Sequence, residues 1–280
     1  MSKLSLMEKL LDGVEVEWKA LGDLVTLRRG RVMSKGYLVE NIGDFPVFSS
    51  QTANNGMIGK INTYDFDGEY VTWTTDGANA GTVFYRTGKF SITNVCGSIK
   101  INQESPLVYK FLFYWLSIEA KKHVYAGMGN PKLMSHQVSK IPVPIPCPDN
   151  PTKSLEIQSE IVRILDTFTE LTAELTAELS LRKTQYNHYR DQLLSFEEGE
   201  VEWMSLGEIT EIKTGSKPSE IFENATSFDY INAGTSRSGY SAASNCEGDT
   251  VTTPSRGQGG IGYVGYQKEA FWLGPLCYKM

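Results

Sequence analysis

The sequence predicts an α+β fold: a mixed α/β domain, then one long amphipathic coiled-coil-type helix, then a partial second copy of the first domain. Three observations predict it. The opening of the chain recurs near residue 200, a stretch of 41 residues contains neither glycine nor proline, and short alternating apolar runs broken by turn residues flank that stretch. The expected boundaries are 1–150, 151–200 and 201–280.

The repeat opens with Gly13, Val16-Glu17-Trp18-Lys19-Ala20-Leu21-Gly22-Asp23-Leu24, Leu27 and Gly30. It returns as Gly199, Val201-Glu202-Trp203-Met204-Ser205-Leu206-Gly207-Glu208-Ile209, Ile212 and Gly215, at an offset of 185 from the valine onward. A second anchor follows at an offset of 181, where Thr72, Gly81, Val83, Tyr85, Phe90 and Cys96 fall on Thr253, Gly262, Val264, Tyr266, Phe271 and Cys277. This is a tandem duplication with a short deletion between the anchors. Met280 corresponds to Ile99, so the second copy is expected to be truncated and weakly stable.

Within the first copy, Tyr70-Val71-Thr72-Trp73-Thr74 and Thr82-Val83-Phe84-Tyr85 alternate as strands, with turns at Asn54-Asn55-Gly56 and Asp76-Gly77. Residues 107–123 carry a helical apolar face. The alternating prolines of Ile141-Pro142-Val143-Pro144-Ile145-Pro146 exclude helix and predict an extended, edge-like exit from the domain. From Leu155 to about Ser195 apolar residues recur at three- and four-residue steps: Ile157, Ile161, Leu165, Phe168, Leu171, Leu175 and Leu179. Ser154 is the expected N-cap, with Glu156 in the first turn. Such a helix extends about 60 Å, too far for one small domain to bury, so its narrow seam calls for a partner helix.

Composition narrows the function. No run of apolar residues is long enough to span a membrane, and an acid at Glu8 interrupts any signal-like start, so a cytoplasmic protein is expected. Cys96, Cys147, Cys246 and Cys277 are widely spaced, which predicts reduced, mostly buried thiols and no zinc site. The net charge of −6 is unevenly spread: residues 19–150 hold 14 Lys and Arg against 10 Asp and Glu, whereas residues 151–200 hold 5 against 10. A mildly basic domain beside an acidic helix suits a chain that meets nucleic acid on one part and protein on another.

Taken together, the openings around Trp18-Leu21-Gly22 and Trp203-Leu206-Gly207, the Ile141–Pro146 exit, Gln158 and Ile161 on the long helix, and the duplication itself resemble the specificity subunits of type I restriction–modification systems. The direct repeat Leu171-Thr172-Ala173-Glu174-Leu175-Thr176-Ala177-Glu178-Leu179 is similar to the spacer repeat of the IC subgroup. The resemblance implies two target recognition domains, each reading half of a split site on double-stranded DNA, held apart by helices that act as a ruler. It also implies partners: methyltransferase subunits on the helices, and motor–nuclease (restriction) subunits outside them. S-adenosylmethionine, ATP and Mg²⁺ are expected on those partners and no cofactor on this chain. One Thr-Ala-Glu-Leu unit adds about 6 Å and about 400° of helix, which moves the second domain by one to two base pairs along DNA.

No catalytic or metal-binding residue is expected. An amino-methyltransferase needs an Asn/Asp-Pro-Pro-aromatic motif; Asn130-Pro131-Lys132 and Asn150-Pro151-Thr152 do not supply it. No Walker loop or carboxylate–lysine cluster appears, and His123, His136 and His188 form no ligand pair. The Gly257, Gly259 and Gly262 motif precedes the strand-like Tyr263-Val264-Gly265-Tyr266, so it is expected to be a turn and not a phosphate cradle. For DNA contact, Gln51, Asn54 and Asn55 are the expected base readers. Arg28, Arg31, Lys35 and Lys132 are the expected backbone clamps, with Arg29 in the same basic run. The unpaired long helix suggests a homodimer. Two other readings compete: a fragment of a combined restriction–methylation enzyme, and a helical scaffold or inactive remnant that reads no DNA.

Overall fold

A computed structural model of the chain describes residues 13–125, 127, 129–197, 199–225, 227–257 and 260–280. The chain divides between Gln185 and Tyr186 into two compact units. In the first, β1 (Val16–Ala20) leads through a single turn, α1 (Leu21–Leu24), into β2 (Val25–Arg29), α2 (Lys35–Glu40) and β3 (Ile42–Phe48). Then follow β4 (Met57–Ile61), β5 (Glu69–Thr74), β6 (Val83–Thr87), β7 (Ser91–Ile92), β8 (Cys96–Ile101), α3 (Tyr109–Glu119), α4 (Ser135–Val138) and β9 (Pro142–Pro146). The expected strands and turns are present, and the helical stretch ends in a 3₁₀ turn, Ala120–His123.

Residue alternation along the central strands sorts side chains onto two faces. The four-stranded sheet runs β2-β8-β5-β6. Val25, Val71, Trp73, Val83 and Ile99 point to one face and form the main core with Leu112 and Leu116 of α3 and Leu21 of α1. Tyr70 and Cys96 point to the other face, where they meet Phe66, Phe90 and Ile92 beneath the three-stranded sheet β4-β3-β7. Trp73 is almost wholly buried and donates from Nε1 to the Leu133 carbonyl at 2.9 Å. Its ring lies directly over Gly97, the residue opposite it on β8, where any Cβ would collide with it.

The proline-rich exit is extended, as expected, because β9 pairs antiparallel with β1 in a separate two-stranded sheet: Trp18 faces Pro144 and Ala20 faces Pro142. Val143 and Ile145 point inward and are fully buried. The long helix, α5, spans Pro151–Leu193 and therefore starts earlier than the sequence suggested. Ser154 is not its N-cap. Asn150 caps it instead, its Oδ1 accepting from the Lys153 amide at 3.0 Å, and Pro151 takes the first helical position, where a missing N–H is harmless. Ser154 is buried one turn in, and its hydroxyl accepts from Gln158 Nε2 at 3.1 Å.

Gln158 is fully buried and clamps the helix to the domain: Nε2 donates to the Pro106 carbonyl at 2.8 Å, and Oε1 accepts from the Val108 amide at 2.9 Å. Two turns on, Asp166 accepts from Lys110 Nζ and Tyr114 Oη, each at 2.6 Å. Burial alone would raise the Asp166 carboxyl, but these two hydrogen bonds outweigh it and hold the group below its ordinary range. Beyond that point Phe168, Leu171, Leu175 and Leu179 are exposed, so the first unit covers only the opening turns of the expected seam.

The second unit contains α6 (Leu206–Ile209), β10 (Lys213–Thr214), β11 (Phe228–Ile231), β12 (Gly239–Ser241), β13 (Thr250–Pro254), β14 (Gly265–Gln267), β15 (Trp272–Leu273) and β16 (Cys277–Lys279). Its sheets run β10-β16-β13-β14 and β12-β11-β15, the orders of the first unit strand for strand. Even the parallel pairing of β3 with β7 recurs in β11 with β15. The duplication is thus visible in topology. The register refines one alignment: Val71 faces Ile99 and Tyr85, whereas Val251 faces Tyr266 and lies beside Met280, so Thr252 and not Thr253 stands where Thr72 does. The turn after β13 is one residue longer than the turn after β5. Gly77 and Gly81 in one, Gly257 and Gly262 in the other, all have positive φ, as turns require; Gly259 lies outside the described residues.

The two copies differ where α1 and α6 sit. Leu21 and Leu24 are buried in the same core cluster as Val138, Ile141 and Val143, whereas the equivalent Leu206 and Ile209 are exposed. Replacing Gln158 with Leu preserves volume but strands the Val108 amide and the Pro106 carbonyl. We expect a loss of about 2–4 kcal/mol in urea unfolding of the first unit.

Candidate nucleic-acid interface

The polar loops of the first unit gather at one end of its two sheets. The segment between β3 and β4, Ser49 to Gly56, is pinched at its neck by the Ser49 amide donating to the Gly56 carbonyl at 2.9 Å. Its tip carries three successive residues in the left-handed region, Asn54 (φ 49), Asn55 (φ 53) and Gly56 (φ 82). Asparagine tolerates that conformation better than most residues, yet two in succession remain strained, so something must hold them there. The carboxamides of Asn54 and Asn55 are exposed. That of Gln51 turns back, Nε2 donating to the Met57 carbonyl at 2.7 Å, so it braces the loop.

Neighbouring loops are tied to this one. Asn79, in the turn between β5 and β6, donates from Nδ2 to the Ser50 carbonyl at 3.2 Å, and Thr93 Oγ1 lies 2.9 Å from Ser49 Oγ. Asp76 in the same turn is paired through the backbone with Lys132, which itself pairs with Tyr125. Lys132 is exposed beside this cluster. Arg29 reaches the cluster from β2: it is 3.7 Å from Asp76, 3.3 Å from Thr75 Oγ1, and donates to the Asn94 carbonyl.

Arg31 follows β2 and pairs with Thr93 through the backbone. Its Nε lies 2.9 Å from Asp65, its Nη2 donates to Tyr37 Oη at 3.2 Å, and its guanidinium stacks 5.0 Å from the Tyr37 ring. The Tyr37 hydrogen bond, followed by the interactions with Asp65, raises its pKa against the opposing effect of burial. Lys35, the first residue of α2, is exposed near this pair. Arg28 stands apart on the sheet's second face, its guanidinium 5.1 Å from the Phe66 ring.

The structure thus joins Arg29, Arg31, Gln51, Asn54, Asn55 and Lys132 in one contiguous rim, links Lys35 to it through Tyr37, and leaves Arg28 outside. Arg29 and Arg31 are already engaged by acids, so the net positive character of the rim is smaller than the sequence suggested. Sequence reading missed Asn79 and Arg86, which both hold the loop. Arg86 was detectable: it occupies an inward position on β6, two residues from Phe84, where a cation is out of pattern.

A second surface is apolar. Trp18, Trp115, Ile118, Pro144 and Ile161 line a cleft that shares Tyr114 and Leu165 with the exposed stripe of α5, which continues through Phe168 and Ala173. Trp18 and Trp115 lie 5.5 Å apart, and Trp115 Nε1 donates to the Pro142 carbonyl.

Among the described residues, no cluster of three His, Cys, Asp or Glu is placed to hold a metal, and no helix is long and apolar enough to cross a membrane. The described cysteines are unpaired, three of them buried, and burial pushes the Cys96 thiol up to about 12.

The family model of the type I restriction modification DNA specificity domain matches residues 13–181 and 198–280. The specificity subunit of the type I restriction enzyme EcoR124I/EcoR124II of Escherichia coli is 42% identical over 243 residues, which cover 81% of this chain and 57% of that protein. A putative type I specificity subunit of Mycoplasma pneumoniae is 36% identical over 265 residues, 91% of this chain and 70% of its own length. The chain thus spans little more than half the length of the E. coli relative. A solved S subunit of a type I restriction–modification system from M. genitalium shares the fold, with a TM-score of 0.69 at 18% identity over 96% of this chain and 72% of that one. The two matched segments contain the two copies of the sheet pair, and the chain belongs to the type I restriction–modification DNA specificity family.

Proposed function

We propose that the chain is the non-catalytic recognition subunit of a type I restriction–modification complex, directing separate methyltransferase and motor–nuclease subunits to a split site on double-stranded DNA. The observation that carries this reading is the duplicated sheet pair, each copy matched by a DNA specificity domain. Asn54 and Asn55 present free carboxamides suited to base edges, while Arg31, Lys35 and Lys132 supply phosphate contacts and Arg28, packed on Phe66 outside the rim, takes no part. S-adenosylmethionine, ATP and Mg²⁺ belong in this reading to the partner subunits, and the complex works in the cytoplasm.

The exposed Phe168, Leu171, Leu175 and Leu179 stripe, continuous with the Trp18–Trp115 cleft, favours a second long helix as its cover. We assign that helix to a second copy of this chain, packed antiparallel, so that two first-copy domains read an inverted repeat.

Co-purification with the cognate methyltransferase, followed by methylation-site sequencing of the host genome, tests the reading. Two copies of this chain per complex and methylation at a palindromic split site are expected; methyl transfer by the chain alone would instead favour a combined enzyme. Leu175→Glu is expected to convert the dimer to a monomer in light scattering, with a loss of helical content confined to the outer half of α5. Deleting Thr172–Leu175 shortens the helix by about 6 Å and should narrow the gap between half-sites by one or two base pairs. Arg31→Ala is expected to weaken binding to all duplexes alike and to reduce the salt-dependence slope by about 0.9.

A further inference from the structure

The side chain of Arg86 is 5% exposed, yet among the described residues no carboxylate lies within ion-pair distance of it. Its Nε is buried without a hydrogen-bond partner. The guanidinium is held between two aromatic faces, 3.6 Å from the ring centre of Phe48 and 4.4 Å from that of Phe84. From this slot Nη2 donates to the Asn55 carbonyl at 2.7 Å. Desolvation lowers the guanidinium to about 10. A buried, unneutralised cation is an unfavourable way to fill a core, since an apolar side chain of the same volume packs there without a desolvation cost.

What the cation does sustain is the strained tip above it. Asn54, Asn55 and Gly56 all lie in the left-handed region, and a Cβ on Gly56 would come within 3.1 Å of Arg86 Nη2. The charge-assisted bond to the Asn55 carbonyl fixes the peptide between the two exposed carboxamides and the glycine.

The second copy supplies an internal comparison. Sheet register places Ile231 where Phe48 stands, and the 181 offset places Gly265 and Gln267 where Phe84 and Arg86 stand. All three members of the sandwich are replaced together, and Gln267 donates to Thr252 Oγ1 instead of to a loop carbonyl. The loop that follows β11 is braced differently, with Arg237 3.0 Å from Asp229. The sheet framework is common to both copies, whereas the loop and its support change as a set.

We propose that Arg86, clamped by Phe48 and Phe84, is a positioning residue that sets the sequence specificity of the first copy by locking the Asn54–Gly56 tip in its reading conformation. This rests on the DNA-reading function proposed above, and the test separates the two. Full-length chain with its methyltransferase partner is used, as wild type, Arg86→Met, Arg86→Lys and Phe84→Leu. Affinity is measured for a duplex that the wild type selects from a randomised pool and for a scrambled duplex of the same composition. Melting temperature and amide exchange over residues 53–57 are recorded in parallel.

Arg86→Met is expected to lose at least tenfold in the ratio of selected to scrambled affinity, entirely through the selected duplex. It should speed exchange at the tip at least tenfold and leave the melting temperature unchanged or raised. Arg86→Lys, which keeps a cation in the slot, should retain most of the ratio, and Phe84→Leu should fall between. An unchanged ratio in Arg86→Met overturns the proposal, as does a loss that merely tracks a lower melting temperature and faster exchange across the whole domain, which marks packing alone. If the wild type selects no duplex, the DNA-reading function fails, and exchange at the tip still decides the positioning role: unaltered protection in Arg86→Met overturns it.

Discussion

The buried carboxamide of Gln158 is the contact through which the recognition domain and the long helix become one mechanical piece. It satisfies a carbonyl and an amide at the half-buried entrance to α3, so both bonds form together only at one angle and one register of the helix. Lys110 and Tyr114 on Asp166 continue the attachment by two further turns, and the β1–β9 ladder fixes the strand that delivers the chain to Asn150. Because α3 packs on the four-stranded sheet, the direction of the helix is set by the same core that positions the loop rim.

Equivalent positions of the two copies are filled differently. In the first unit a buried tryptophan on β5 faces a glycine on β8; in the second, Thr253 faces Tyr278 at the equivalent pair, and Tyr278 is exposed. Strand order and the parallel β3–β7 crossing survive the exchange because they depend on backbone hydrogen bonds and on alternation, not on which strand bears the bulk.

Much of this was legible in the sequence. The repeat around Trp18 and Trp203, the strands flanking Gly77 and Gly257, the extended prolines and the long helix are all signalled by local pattern, and the structure contains each of them. The start of α5 was misplaced because Ser154 looks like a cap while Asn150-Pro151, the true start, also reads as a turn; only the buried environment of Ser154 decides between them. The rim was legible as composition but not as geometry. Nothing in the run Arg28-Arg29-Gly30-Arg31 tells that alternation sends Arg28 to the far face, that Asp65 and Asp76 engage its neighbours, or that Gln51 turns inward. Apart from the turn of Gln51 onto Met57, these depend on residues about 30 to 50 positions away, as does the placement of Asn79 beside Ser50.

The bare outer half of α5 carries a further consequence, for the timing of order. An isolated helix in water is held only by its own cooperativity, and ends without tertiary contacts fray. The segment from Phe168 to Leu193 makes short-range pairs such as Arg182 with Glu178, which add little, so its persistence as a straight rod is supplied by whatever covers its leucines. In the function proposed above, a distance set by the number of Thr-Ala-Glu-Leu units is therefore not stored in the free chain. It arises on the proposed pairing of helices, when covering the leucine stripe stiffens the segment into a fixed length.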